Sequence, residues 1–248
     1  MTNMKLHKQN RELAIPGELL AEGDFLLGEG TFSEGGKIFA NILGLVDTKE
    51  QFIKLIPLSG KYVPAPRDLV IGIVEDIAFS SWSIDVNSPY KGILGVANAT
   101  ERFIDIQSED LSKIYDMGDV VLAKVINVSQ SMQVGLTMRD RGLYKLRGGR
   151  MISISPTRVP RVIGKKGTMV QMLKNATNCK IVVGQNGRIW IDGENPNIAI
   201  EAIKLIEAEA HTQGLTERVK IFLEKKTNKK IAEVPLIEDT VQQRGEME

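Results

Sequence analysis

Residues 158–167 read Arg-Val-Pro-Arg-Val-Ile-Gly-Lys-Lys-Gly, two glycines bracketing two lysines, and a helical pattern begins directly afterwards at Thr168. Glycine lets the backbone turn sharply and approach a ligand without interference from a Cβ. Lys165 and Lys166 add positive charge, and the start of a helix adds unpaired N–H groups and a positive dipole end. Together Gly164, Lys165, Lys166, Gly167 and Thr168 suit a phosphodiester backbone rather than a base edge. A Gly-x-x-Gly alone is weak evidence, so its surroundings decide what it means.

Those surroundings are basic. Residues 146–180 carry Arg147, Arg150, Arg158, Arg161, Lys165, Lys166, Lys174 and Lys180, and no Asp or Glu. The formal net charge of the whole chain is only +1, so the compensating acid lies elsewhere and one local face must be strongly positive. The 248 residues give room for two or three modest domains, and the 25% charged and 42% hydrophobic residues are ordinary for a globular protein. The longest apolar runs, such as 120–123 and 181–183, are too short to span a bilayer, and no apolar leader follows Met1. No membrane partner is expected, and the expected compartment is the cytoplasm. A single Cys179 rules out an internal disulfide and a cysteine-based metal cluster, and reads as a small packed residue. No metal or other cofactor is expected.

Taken in order, residues 1–64 read as a small β-domain of short strands punctuated by turn chemistry at Pro16-Gly17, Gly28-Glu29-Gly30 and Ser33-Glu34-Gly35-Gly36. The alternation of Ile38, Ala40, Ile42 and Gly44 predicts a strand over 37–45. A linker with Pro64 and Pro66 closes this part. Residues 65–146 then show alternation from Asp68, further strands at 82–86 and 91–96, a short helical turn over 108–115, and two last strands at 120–128 and 132–138. Five strands with a polar connection before the fourth predict an OB-type barrel. Within 147–214, Met151, Ile152 and Ile154 predict a strand, and Met169, Met172, Leu173 and Ala176 recur at helical spacing. Strands at 180–183 and 188–191 flank a turn, Gly184-Gln185-Asn186-Gly187, and Asn195-Pro196 starts a helix running to about Ala210. Residues 215–248 read as a last helix over 216–226 and a polar tail.

The order strand, short helix, Gly-x-x-Gly, helix, strand, strand, helix is the type I KH arrangement, whose GXXG loop clamps four backbone nucleotides. Phosphates are expected against the amides of residues 165–168, with Arg158 and Arg161 nearby. Bases are expected in a groove lined by Val159, Val162, Ile163 and Met169, with Ile181 and Val183 as the opposite wall. Ahead of it, residues 118–125 (Gly-Asp-Val-Val-Leu-Ala-Lys-Val) and 134–139 (Val-Gly-Leu-Thr-Met-Arg) resemble the closing half of an S1 RNA-binding domain. Where that family carries an aromatic-glycine-aromatic segment, this chain has Phe79-Ser80-Ser81-Trp82-Ser83-Ile84. Phe79, Trp82, Tyr90 and Phe103 are the candidates for base stacking, Trp82 being equally a candidate for the core. Arg102, Arg139 and Arg141 either meet phosphates or are simply solvated.

The expected fold class is therefore multidomain, β-rich plus α+β, with an N-terminal β-domain, an S1/OB five-stranded barrel and a type I KH domain. That succession resembles the archaeal exosome RNA-binding cap subunit of the S1/KH type. Pro16-Gly17-Glu18, Gly28-Glu29-Gly30-Thr31, residues 57–64 (Pro-Leu-Ser-Gly-Lys-Tyr-Val-Pro) and Asn87-Ser88-Pro89-Tyr90 support it. The resemblance implies a non-catalytic subunit that docks by its N-terminal domain on a ring of RNase PH-like proteins, beside other cap subunits. It implies that the subunit guides single-stranded RNA into the ring's pore for 3′-to-5′ degradation. The residues agree on the absence of catalysis: Asp68, Asp76, Asp85 and Asp105 are scattered without a spaced acidic motif, as solvated strand ends are. Two other readings stay open. One is an enzyme akin to a bacterial polynucleotide phosphorylase, which carries S1 and KH modules on large catalytic domains. The other is a free-standing S1/KH regulator of transcription or translation.

Overall fold

A computed structural model describes residues 4–102, 104–105, 109–129, 131–210, 212 and 214–227. The chain divides into two compact units, Met1–Gly60 and Lys61–Glu248. No helix among the described residues is long and apolar enough to cross a membrane.

The first unit contains β1 (Lys5–Leu6), β2 (Leu13–Ala14), β3 (Leu19–Glu22), β4 (Leu26–Leu27), β5 (Thr31–Glu34), β6 (Lys37–Ala40), β7 (Gly44–Lys49) and β8 (Phe52–Pro57). They form two sheets, in the orders β1-β3-β6-β5 and β2-β7-β8-β4. Leu20, Ile38 and Ala40 of one sheet share a core with Val46, Ile53 and Leu55 of the other. The single strand expected over 37–45 is two strands in different sheets. The chain leaves the first sheet after Ala40 and joins the second at Gly44, with the Asn41 N–H held by the Gly30 carbonyl at 2.8 Å. Alternation continues through this corner because both halves bury the same side of the chain against one core. Gly44 is needed there, since a Cβ would lie 2.7 Å from the Ile56 carbonyl oxygen.

The second unit begins with β9 (Leu69–Ala78), β10 (Ser81–Asp85), β11 (Gly92–Gly95), α1 (Val96–Ala99), β12 (Val120–Val128), β13 (Val134–Thr137) and β14 (Lys145–Leu146). The pairing runs β13-β11-β10-β9-β12 and closes through β12–β13, with only β11–β13 parallel; β14 adds to the free side of β12. This closed five-stranded barrel encloses Val70, Val74, Trp82, Ile84, Leu94, Val121, Ala123 and Leu136. Tyr62 joins that core, and its hydroxyl donates to Asp68 Oδ2 at 2.7 Å.

The chain continues through β15 (Arg150–Ser153), α2 (Val159–Ile163), α3 (Thr168–Thr177), β16 (Cys179–Val183), β17 (Arg188–Gly193), α4 (Pro196–Glu209) and α5 (Leu215–Thr227). The sheet order is β15-β17-β16, antiparallel throughout. This is the KH topology that the sequence predicts. Helices α2 to α5 pack on one face of the sheet, and Leu215, Val219 and Leu223 of α5 belong to the same core as Met172 and Ile191. Amphipathic α3 buries Met169, Met172, Leu173 and Ala176 and stops where Asn178 adopts φ 53°, a left-handed cap.

The other face of the KH sheet covers the barrel. Trp190 of β17 packs with Ile71, Leu122 and Leu146 on the barrel's outer surface. The 184–187 turn, read from sequence only as a hairpin turn, is pressed against β9 and β10. Asn186 is fully buried and donates through Nδ2 to the Ile71 and Val86 carbonyls at 2.8 and 2.9 Å, while its Oδ1 accepts from the Ile71 N–H at 3.3 Å. Arg188, 7% exposed, pairs with the Asp85 carboxylate and donates to the Asp85 carbonyl at 2.6 Å. A buried guanidinium without such partners would be strongly destabilising.

Candidate nucleic-acid interface

The Gly164–Gly167 loop joins α2 to α3. Helix α2 ends when the Gly164 N–H donates to the Pro160 carbonyl at 2.9 Å and Gly164 swings to φ 75°, ψ 172°. A Cβ there would sit 2.6 Å from Met169 Cβ and 2.8 Å from Met169 N, so conformation and space both demand glycine. Lys166 follows at φ 52° and Gly167 at φ 77°, which caps α3. The lysines are thereby turned outward: Lys165, Lys166 and Arg161 are exposed and Arg158 is half-buried. Arg158, Arg161 and Lys165 have no carboxylate within ion-pair distance among the described residues. Cationic side chains thus surround the positive end of a ten-residue helix.

Two expectations about this loop need correction. The Gly167 N–H donates to the Gly164 carbonyl at 3.2 Å, and the Thr168 N–H and hydroxyl both donate to the Lys165 carbonyl, the hydroxyl at 3.0 Å. Those amides close the turn and do not stand open for a phosphate, because a loop this tight satisfies its own donors. The expected groove walls are also largely core. Val159 and Val162 are fully buried, and Met169 and Ile181 are 5% and 2% exposed. The short α2 docks through Val159 and Val162, with Ile163 packed partly against the same core, so its valines are consumed by packing. Ile163 and Val183 keep part of their surface and remain available to a base.

On the barrel, Trp82 is a core residue. It is fully buried, its indole N–H donates to the Tyr115 carbonyl at 2.9 Å, and the Tyr115 ring meets it edge-on at 5.3 Å. Its place in the alternation of β10 turns it inward, so it offers no face to a base. Phe79, at the β9–β10 turn, is 78% exposed. It borders a groove of about 790 Å³ with Val96, Arg102, Ile104 and Arg139. A second recess, of about 430 Å³, lies between Ser83, Tyr90, Lys91, Ile93 and Met132. The pairings Ser81↔Gly95 and Ser83↔Ile93 place both recesses along β10 and β11. In OB folds the second and third strands and the adjoining loops bind oligonucleotides.

The three barrel arginines differ. Arg102 is held in a fork by Glu109 at 2.5 and 3.2 Å, which offsets its charge. Arg139 donates to the Ala97 carbonyl at 3.2 Å, a neutral partner that fixes the side chain and leaves its charge unmatched. Arg141 is exposed. Phe103 lies outside the described residues. Of the stacking candidates, Phe79 and Tyr90 keep accessible surface and Trp82 does not, and exposure at a strand-connecting turn is what separates Phe79 from Trp82. Among the described residues no cluster of His, Cys, Asp or Glu is arranged to hold a metal ion.

Known proteins match two of the chain's domains and most of its length. Residues 11–59 match the family model of the exosome RNA binding protein RRP4 N-terminal domain, and residues 149–197 match a KH domain model. Exosome complex component Rrp4 of Methanobrevibacter smithii is 46% identical over 87% of this chain and 72% of its own length. Its counterpart in Pyrococcus furiosus is 44% identical over 98% of this chain and 96% of its own. A crystal structure provisionally assigned as an exosome complex RNA-binding protein superposes with a TM-score of 0.62 at 37% identity, over 68% of this chain and 98% of that one. With a barrel, a KH domain and near full-length identity to these relatives, the chain belongs to the exosome complex component Rrp4 family.

Proposed function

We propose that this protein is a non-catalytic RNA-binding component of an exosome, capping a ring of RNase PH-like subunits and guiding single-stranded RNA into its pore for 3′-to-5′ degradation. The observation that carries the reading is the outward-turned Gly164–Gly167 loop, flanked by Arg158, Arg161 and Lys165 without a carboxylate partner among the described residues, in a chain whose barrel also presents Phe79 and Arg139 along an OB-type face. Phosphate contacts at the loop position a strand, and exposed aromatics stack bases without regard to sequence. Gly164, Lys165, Lys166, Gly167, Thr168, Arg158, Arg161 and Ile163 form the KH contact; Arg139, Arg141, Tyr90 and Phe79 form the barrel contact, with Arg102 secondary. The first unit is the docking element. Its second sheet presents Leu13, Leu45 and Ile56 directly across three neighbouring strands, and Ile15 and Leu43 are exposed beside them. An uncovered apolar row of this kind suits a protein partner. We assign the protein to the cytoplasm.

The test is reconstitution with the RNase PH-like ring from the same cell, using the full chain and a chain lacking Met1–Gly60. The full chain is expected to comigrate with the ring in native mass analysis and to accelerate degradation of RNA with a single-stranded 3′ end. The shortened chain is expected to bind RNA and leave the ring unbound. Release of nucleoside diphosphates from RNA by the isolated chain would overturn the non-catalytic assignment. A full chain that binds RNA but never the ring would point to a free-standing regulator.

A further inference from the structure

The connector between the barrel and the KH domain has a basic surface whose Arg147, Arg150 and Lys180 belong to neither RNA site. It leaves the barrel groove at Arg139 and passes Arg141, Tyr144 and Arg147 before entering β15 at Arg150. Arg141, Arg147 and Arg150 are exposed. Arg150 donates to Asn197 Oδ1 at 2.5 Å, a neutral partner that orients it without cancelling its charge. From the edge strand β16, Lys180 reaches across and holds its Nζ 4.8 Å from the centre of the Tyr144 ring. Asp192 stands opposite Lys180 in register, but Arg141, Arg147 and Lys180 have no ion pair among the described residues. The nearby Lys124 and Lys145 differ, being paired with Asp140 and Asp119.

This surface is also held in place. The Leu122 N–H donates to the Tyr144 carbonyl at 3.0 Å, tying the connector to the barrel. The Trp190 indole donates to the Gly148 carbonyl at 2.8 Å, tying it to the KH sheet. Gly149, at φ 68°, passes so close to Trp190 and the Ile191 carbonyl that a Cβ would lie within 2.9 Å of both. The backbone that carries these cations is thereby fixed, and the Arg150 and Lys180 side chains, held by Asn197 and Tyr144, lose less freedom on meeting an anion. They are joined by chain to the barrel groove proposed above to hold RNA.

We infer that the connector is a third RNA-contacting surface, on which Arg147 and Lys180 hold phosphates of a single strand running between the barrel groove and the KH domain. The inference rests on the RNA-guiding function proposed above. The occupant is a nucleic-acid backbone because the surface offers several cations without an ion pair among the described residues, while the nearby Asp119 and Asp140 are already matched by lysines. Short oligonucleotides, filling one module, would not reach it: a KH loop clamps about four nucleotides and an OB fold covers roughly 4 to 16.

The experiment compares the full chain with a double variant, Arg147→Glu and Lys180→Glu, by fluorescence anisotropy with single-stranded RNAs of roughly 5 and 25 nucleotides. The 25-mer is expected to bind at least about ten-fold more weakly, and its log-affinity slope against log salt to shrink by about 1.4, the release expected for two single-strand phosphate contacts. The 5-mer is expected to be unaffected. Arg147→Gln with Lys180→Gln, a milder pair, is expected to give the same pattern with a smaller loss if charge reversal impairs folding. Photo-crosslinking of the 25-mer to the unaltered chain is expected to mark the peptide containing Tyr144 and Arg147. An unchanged 25-mer affinity and slope, alongside a loss in a Lys165→Glu, Lys166→Glu chain, would overturn the connector site and leave the RNA function standing. If the unaltered chain binds neither RNA, both fall.

Discussion

Phe79 and Trp82 stand three positions apart and have opposite fates. One is at a turn and exposed; the other is in a strand and fully buried. Phe79→Ala is expected to weaken binding of single-stranded RNA roughly 5- to 100-fold, the range of one lost base stack, with an unchanged melting temperature. Trp82→Ala is expected to cost about 3 to 5 kcal/mol of stability, as large-to-small changes in a core do. Paired measurements of anisotropy and thermal unfolding separate the two. Tyr62 offers a pH test. Burial, reinforced by its hydrogen bond to Asp68, pushes its phenol well above the ordinary value of 10.0. A raised acid favours folding while protonated, so its contribution is complete below that value and lost as pH rises past it. Tyr115, raised by burial, acts in the same direction. Denaturant titrations are expected to show stability declining above about pH 10, and less steeply in Tyr62→Phe. At this scale, sequence identified residue types and their faces. It could not say which aromatic was covered, because neighbours such as Tyr115 come from distant chain positions.

Among the elements, the KH hairpin turn carries more than its composition suggests. Gly184-Gln185-Asn186-Gly187 reads as an exposed connection, and Gly187 does take φ 81°. Yet the turn is a plug, with Asn186 satisfying backbone groups of Ile71 in β9 and Val86 just past β10, 115 and 100 positions away. Asn186→Ala would leave the Ile71 N–H and the Val86 carbonyl buried without this partner. The expected loss is about 2 to 6 kcal/mol, from roughly 1 to 3 for each of the two unsatisfied groups. In calorimetry the variant is expected to unfold in two steps as barrel and KH domain separate, where the unaltered second unit unfolds in one. Periodicity explains why the elements themselves were legible: α3, β12 and β17 each have a strong repeat and clear boundaries. The outer side of β9 is apolar at Leu69, Ile71 and Ile73, but the sequence gives no indication that Ile71 is covered by another domain. The split of 37–45 into β6 and β7 escaped for a related reason, since one alternation serves both sheets around a shared core.

For the molecule as a whole, the small net charge of +1 conceals a separation of charge that the RNA function requires. Lys165→Glu with Lys166→Glu is expected to weaken RNA binding across sequences rather than at one preferred base, since phosphates carry no sequence information. The deficit is expected to narrow at high salt, with the salt slope falling by about 1.4 in single-strand titrations. An unchanged affinity would move the principal contact to the barrel, where Phe79 and Arg139 lie. The order of modules, the Gly164–Gly167 loop and the acid-free window were determined by sequence alone, because each is local: a glycine's φ, a helix start and a run of like charges are properties of neighbouring residues. Only the tertiary structure decided that Trp82, Val159, Val162 and Met169 are core, that two loop amides are already used, and that Asn186 and Arg188 join barrel to KH domain. Those outcomes depend on which surfaces meet across long loops. The hydrophobic effect dictates that an apolar face be covered, but it is non-directional and does not say by what.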